Sequence, residues 1–121
     1  MGSYVSIRGW LECDYQQLES VQEIILSHDD SYSGGWCVPR EQYNGTLIFY
    51  GANIREQSLD WFLRQIREAA SIPVGALQDD EDRIRGYFLI SHEVNGMSEL
   101  QVREGKVFIS PADGRLKYLD D

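Results

Sequence analysis

The sequence predicts an α+β fold: a largely antiparallel sheet of about five strands with two helices packed on one face, in the order β-α-β-α-β-β-β. Three observations carry this expectation. The N-terminal segment alternates apolar and polar residues, two stretches repeat apolar residues at helical spacing, and the C-terminal third is punctuated by tight-turn dipeptides. The 121 residues suit one domain, 1–121, because a chain of this size buries roughly two-thirds of its unfolded surface around a single core.

From Tyr4 to Glu12, Val5, Ile7, Gly9 and Leu11 fall on one face and Tyr4, Ser6, Arg8, Trp10 and Glu12 on the other, the pattern of a half-buried strand. Asp14 then sits at a helix N-cap with Gln17 placed to complete a capping box, and Leu18, Val21 and Ile25 share one helical face. This helix should end near His28. From Asp29 to Gly45 the chain carries Ser, Gly, Asn, Asp and Pro39 around Gly34-Gly35, so it reads as a long loop holding Tyr32, Trp36 and Tyr43. A loop of that length in a small domain usually has a function.

Thr46 to Ala52 is β-branched and aromatic, and the consecutive Leu47, Ile48, Phe49 and Tyr50 argue for a central strand buried on both faces. Ser58 is placed to cap a second helix with Asp60 in its first turn. Leu59, Phe62, Ile66 and Ala69 or Ala70 form its apolar stripe, with Arg64, Gln65, Arg67 and Glu68 facing water. Trp61 belongs to the core or to the helix N-terminus, and Pro73 closes the helix. Val74 to Arg83 shows no periodicity and contains the acidic run Asp79, Asp80, Glu81 and Asp82.

In the C-terminal third, Asn95-Gly96 suits a two-residue hairpin turn, which would set Val94 opposite Met97, His92 opposite Glu99, Ile90 opposite Gln101 and Leu89 opposite Val102. Glu104-Gly105 suits a second such turn, aligning Val102 with Val107 and Leu100 with Ile109. The face beneath the helices then holds Leu89, Leu100, Val102, Val107 and Ile109. The opposite face keeps Phe88, Ile90 and Phe108 among His92, Glu99, Gln101 and Arg103, joined by Tyr4 and Trp10. Two arrangements are open: the tail from Pro111 to Asp121, with Leu116, Tyr118 and Leu119, folds over this face, or the face stays uncovered as a binding surface.

The apolar fraction of 42% and aromatic fraction of 12% are those of a globular protein, and no window of about 18 uncharged apolar residues is present to cross a bilayer. Met1 to Trp10 lacks the charged start and apolar core of a secretory signal. Cys13 and Cys37 form neither a disulfide framework nor a metal knuckle, which points to a reduced, cytoplasmic setting. Eleven basic against twenty acidic residues give a net charge of −9, a balance that repels phosphate backbones and attracts cationic surfaces. Neither nucleic acid nor a membrane is therefore an expected partner, although acidity can also serve solubility alone.

The inventory for chemistry is sparse. His28 and His92 are the two histidines. His92-Glu93 lacks the second histidine of a zinc-protease motif, since position 96 is Gly. A Cys37 or Cys13 thiol activated by His28 matches no nucleophile spacing. Gly34-Gly35 lacks the lysine and strand-to-helix setting of a phosphate loop, and the run from Asp79 to Asp82 lacks calcium-loop spacing. No catalytic residue, cofactor or metal is expected.

The segments SIRGWLECDYQQLE, FYGANIREQSLDWF and HEVNGMSELQVREGKVFISP together resemble an immunity protein of bacterial contact-dependent growth inhibition or related polymorphic toxin systems. That resemblance implies a small cytoplasmic protein that binds the C-terminal domain of its cognate toxin and neutralises it, by covering the active site or a neighbouring surface, without catalytic residues of its own. The acidity suits a basic, nuclease-like toxin. Interface residues follow from physics rather than from the resemblance: Tyr32, Trp36 and Tyr43 as buried anchors, and Asp29, Asp30, Asp79, Asp80, Glu81 and Asp82 as charges facing the toxin. Two other readings compete, a self-associating adaptor or structural module that uses the open sheet face and a small thiol-dependent enzyme, and the chain is expected to be a monomer or a homodimer.

Overall fold

Strand β1 (Tyr4–Cys13) is the spine of the molecule, because it is hydrogen-bonded along both edges. The computed structural model describes residues 3–39, 46–73, 83–93 and 96–120, the Asp120 side chain excepted. After β1 come α1 (Tyr15–Ser27), a short β2 (Trp36–Cys37), β3 (Thr46–Arg55), α2 (Leu59–Ala70), β4 (Arg85–His92), β5 (Gly96–Arg103), β6 (Lys106–Pro111) and a 3₁₀ segment at Gly114–Asp120. The strands form a six-stranded sheet in the order β2-β3-β1-β4-β5-β6 with every pairing antiparallel, so the fold is α+β as predicted. The extra strand is β2, two residues inside the segment expected to be loop.

The alternation of β1 is realised as read: Val5, Ile7 and Leu11 are buried beneath the helices while Tyr4 and Trp10 are exposed on the other face. Helix α1 begins at the expected capping box, in which the Gln17 N–H donates to Asp14 Oδ1 at 2.7 Å and the Asp14 N–H donates to Gln17 Oε1 at 2.9 Å. It ends at His28. That end is clipped to α2, because the Trp61 indole N–H donates to the His28 carbonyl at 2.7 Å and the His28 ring pairs with Glu68. Trp61 is thus half-buried near the start of α2.

Helix α2 buries Phe62, Ile66, Ala69 and Ala70 as its stripe predicts. Two details differ from expectation. Ser58 makes no side-chain cap bond, since a 3₁₀ turn over Glu56–Ser58 leads directly into the helix. Gln65 is buried rather than solvated, its amide donating to the Trp61 carbonyl at 3.3 Å.

The core is organised around a missing side chain. Gly9 of β1 lies between Tyr50 of β3 and Phe88 of β4. A Cβ there would come within 2.0 Å of the Tyr87 carbonyl oxygen and 2.7 Å of the Phe88 ring. The space it leaves is filled by rings: Phe62 of α2 lies 4.9 Å from Tyr50 and 5.2 Å from Phe88, and Trp36 stacks on Phe62 at 6.0 Å, all between ring centroids. Aromatic packing over a strand glycine is an effective way to fill a sheet face that lacks a Cβ.

The second C-terminal turn forms as predicted, with Glu104 and Gly105 both at positive φ, and Val102 faces Val107 while Leu100 faces Ile109. The first hairpin does not. His92 pairs with Gly96 rather than Glu99, a register shift of three residues, and Phe88 pairs with Leu100. Residues 93–95 separate the two strands, and Gly96, at φ 78°, stands at the start of β5 instead of inside a two-residue turn. Because side chains alternate, an odd shift exchanges the faces of β4. Phe88 and Ile90 enter the core, and Leu89 moves to the face opposite the helices.

Candidate functional site

One residue along from the core row, each strand contributes a side chain to the opposite face. Cys37 faces Phe49, Phe49 faces Trp10, Trp10 faces Tyr87, Tyr87 faces Gln101, and Gln101 faces Phe108, a row that crosses all six strands. Trp10, Phe49 and Phe108 are 37%, 39% and 36% exposed, and Leu47, two residues from Phe49 on the same face, is 39% exposed. The Trp10 and Tyr87 ring centroids are 5.6 Å apart. The Arg103 guanidinium stacks over Phe108 at 4.1 Å from the ring centroid. Burial, together with Glu99, pushes the Tyr87 hydroxyl pKa up, and the two side chains are hydrogen-bonded.

The tail resolves the two open arrangements by covering part of this face. The Arg8 guanidinium donates to the Leu119 carbonyl at 3.1 Å, and Leu116 and Tyr118 share a shallow cavity with Glu99 and Pro111. Leu89, between Arg8 and Glu99 in the sheet, is buried although it points away from the helices. Between the tail and the aromatic row lies Gly51, where an added Cβ would meet nothing within 4 Å. The uncovered surface is therefore an aromatic ridge bordered on one side by a step up to the tail.

The residues singled out from sequence are placed elsewhere. Tyr32 and Trp36 turn toward the protein's own core. Trp36 is 4.9 Å from Tyr50 and 6.5 Å from Phe88 between centroids, and Tyr32 packs on Trp61 at 6.4 Å. The Tyr32 carbonyl accepts from the Tyr50 hydroxyl at 2.8 Å, and its own hydroxyl accepts from the Arg55 N–H at 3.3 Å, closing the end of β3. Asp29 and Asp30 are exposed beyond α1, but Asp30 also shapes the chain locally: its carboxylate accepts from the Ser31 hydroxyl and the Tyr32 N–H. Tyr43, Asp79, Asp80, Glu81 and Asp82 lie outside the described residues.

The groups considered for chemistry are dispersed. Cys13 is buried, and burial with the neighbouring Asp14 charge pushes its thiol up to about 11, away from thiolate reactivity. Cys37 is exposed at the end of the aromatic row. His28 is held by Glu68 at the junction of the helices. His92 does not meet Glu99; its Nδ1 lies 3.6 Å from Glu56 Oε1, because the shifted register moves Glu99 opposite Leu89. Among the described residues no group of three or more His, Cys, Asp or Glu side chains is placed to hold a metal ion, and no helix is long and apolar enough to cross a membrane.

Sequence reasoning missed Phe49, Leu47 and Tyr87 as surface residues. The sequence carried no signal for this, since Leu47 and Phe49 are as apolar as Ile48 and Tyr50. In the structure Thr46, Ile48, Tyr50 and Ile54 are buried while Leu47 and Phe49 are exposed, so this strand is not buried on both faces. No family model, curated protein or solved structure matches the chain.

Proposed function

We propose that this protein is an inhibitor of the immunity class that binds a basic toxin domain and neutralises it, using the open face of its sheet. The observation that carries the reading is the open-face cross-strand row centred on the exposed Phe49 and Trp10, with half-buried Tyr87 beside them. Contiguous exposed aromatics on a rigid sheet match the composition of interface hot spots, and a border of polar and charged side chains suits the rim around them. The net charge of −9 favours a cationic partner and speeds its capture. The resemblance of the three sequence segments to immunity proteins gives that partner its class. Tyr32 and Trp36 act through the core in this reading, and the anchoring role passes to the open-face row.

The test is a titration against the C-terminal domain of the large secreted protein encoded immediately upstream, at low and moderate salt, combined with growth rescue. Tight one-to-one binding that weakens as salt rises is the expected result. Trp10→Ala should weaken it by roughly 30-fold or more, the loss typical of a hot-spot aromatic, whereas Leu26→Ala on the exposed face of α1 should not. Unchanged affinity in both Trp10→Ala and Phe49→Ala would displace the interface, and absence of both binding and rescue would overturn the immunity reading.

A further inference from the structure

Among the described residues β6 is the last strand of the sheet, so one of its edges has no neighbouring strand there. Which backbone groups face outward follows from the turn. A two-residue hairpin at Glu104-Gly105 makes Arg103 and Lys106 a hydrogen-bonded pair, and the pattern then repeats at every second residue. The Ala112 N–H donates to the Met97 carbonyl at 3.0 Å, which keeps the same phase to the far end of the strand. Lys106, Phe108 and Ser110 thus direct their backbone groups to β5. The N–H and C=O of Val107 and Ile109 point away from the sheet.

Edges of this kind are normally blunted by charge, proline, bulges or a covering segment. β6 carries Lys106 at its start and Pro111 at its end, and between them it presents Phe108, 36% exposed, on one face and Ile109, 50% exposed, on the other. We propose that this edge pairs with β6 of a second copy of the chain, antiparallel about a two-fold axis through Phe108, joining two six-stranded sheets into one.

The register follows from elimination. Outward groups face one another when the axis passes through Val107, Phe108 or Ile109. An axis through Ile109 sets Val107 against Pro111, which has no N–H to give. An axis through Val107 sets Phe108 against Lys106 and Ile109 against Gly105. The axis through Phe108 makes two Val107–Ile109 hydrogen-bonded pairs on the helix side. On the open side it brings Phe108 onto its own copy as a non-hydrogen-bonded pair, with Cα atoms about 4.5 Å apart. The same short strand supplies an apolar partner at every central position, which favours a second copy over an unrelated strand. Phe108 also ends the aromatic row, so the pairing would run the rows of two copies into each other.

The ladder is short and smaller than a standard stable interface, and each copy carries −9. The dimer should therefore be transient and should tighten as salt screens the repulsion, the reverse of the salt dependence of the proposed toxin complex. This inference does not rest on the toxin reading, because its test contains no toxin.

The test is sedimentation of the full chain over a concentration series at low and moderate salt, followed by cross-linking. A reversible dimer that strengthens with salt is expected. In a Cys37→Ser background, Phe108→Cys should oxidise to a covalent dimer on the order of tenfold faster than Val107→Cys or Ile109→Cys, because only the residue on the axis meets its own copy within disulfide range. Ile109→Pro removes one outward N–H and leaves the β5 ladder intact, a substitution an edge strand tolerates. It should be monomeric with an unchanged circular dichroism spectrum, and if it fails to fold, Ile109→Lys supplies the same readout by placing a charge on the edge. A protein that stays monomeric at every concentration and salt would overturn the proposal. So would a dimer that survives in the folded Ile109→Pro or Ile109→Lys variant, or equal cross-linking rates at positions 107, 108 and 109.

Discussion

Gly9→Ala adds a single methyl group at the centre of β1, and the structure gives its cost. The new Cβ would lie 2.0 Å from the Tyr87 carbonyl oxygen, 2.6 Å from the Phe88 Cα and 2.7 Å from the Phe88 ring. Two of those three atoms are backbone, so no rotamer change relieves the contact. Ordinary van der Waals separation requires β1 and β4 to part by more than about 1 Å beside the methyl group. Overpacking of this kind costs about 1–3 kcal/mol, and weakening one or two ladder hydrogen bonds adds about 1 kcal/mol each. A total of roughly 2–5 kcal/mol is a large part of the 5–15 kcal/mol that stabilises a typical domain, and for a chain of this length it should lower Tm by roughly 8–20 °C. The control is Gly51→Ala, on the neighbouring strand and the open face, where a Cβ meets nothing within 4 Å. There the substitution should be neutral or stabilise by up to about 1 kcal/mol by restricting the unfolded chain. Both are measured by thermal and urea unfolding followed by circular dichroism. If Gly9→Ala melts within about 2 °C of the parent protein, the close packing of Phe88 over Gly9 is not a feature of this fold.

Phe62→Ala removes the ring that touches Tyr50, Phe88 and Trp36 together, and should cost about 3–5 kcal/mol in urea unfolding. Asp14→Ala breaks the capping box of α1, for an expected loss of about 1 kcal/mol, seen as a lower urea midpoint with an unchanged slope. Stability should fall with pH in the alkaline range. Burial pushes Cys13 from 9.0 to about 11 and Tyr50 from 10.0 to about 12, so the unfolded chain loses these protons first. Both contributions are intact below about pH 9 and decline as pH rises through the folded values. A Tm that stays flat from pH 8 to 12 would contradict the burial of these two groups.

Most of the architecture was legible because local signals and burial agree. The alternation of β1, the Asp14–Gln17 capping box, the stripe of α2 and the Glu104-Gly105 turn each specify a local geometry that packing then uses. The Asn95-Gly96 dipeptide misled because a glycine at positive φ serves either inside a two-residue turn or at the first position after a longer one, and here Gly96 pairs with His92. A counter-signal lay in β4 itself: one side carries Phe88 and Ile90 with Gly86 and His92, and the other carries Leu89 with Arg85, Tyr87 and Ser91, so burying the first side puts two large apolar side chains in the core against one. Trp36 was read as an interface anchor because loop aromatics often are. It packs inward against Tyr50, Phe62 and Phe88, residues of two other strands and a helix that only the assembled sheet brings together.

The core row and the open row are consecutive residues of the same strands, and this links stability to binding. Tyr50, Gly9 and Phe88 lie beneath the helices, and Phe49, Trp10 and Tyr87, each one residue away, point to the open face. Rings locked on one side of β1 therefore fix the backbone that presents rings on the other, which lowers the ordering cost of docking a partner there. A change at Gly9, Phe62 or Trp36 should then weaken partner binding without any contact to the partner, by disturbing strand spacing. Loss of binding in such variants cannot locate the interface. Trp10→Ala and Phe49→Ala can, because both side chains are exposed on the open face and truncation leaves the core row packed; if binding tracks Tm rather than these substitutions, the open row is scaffold and the contact surface lies elsewhere.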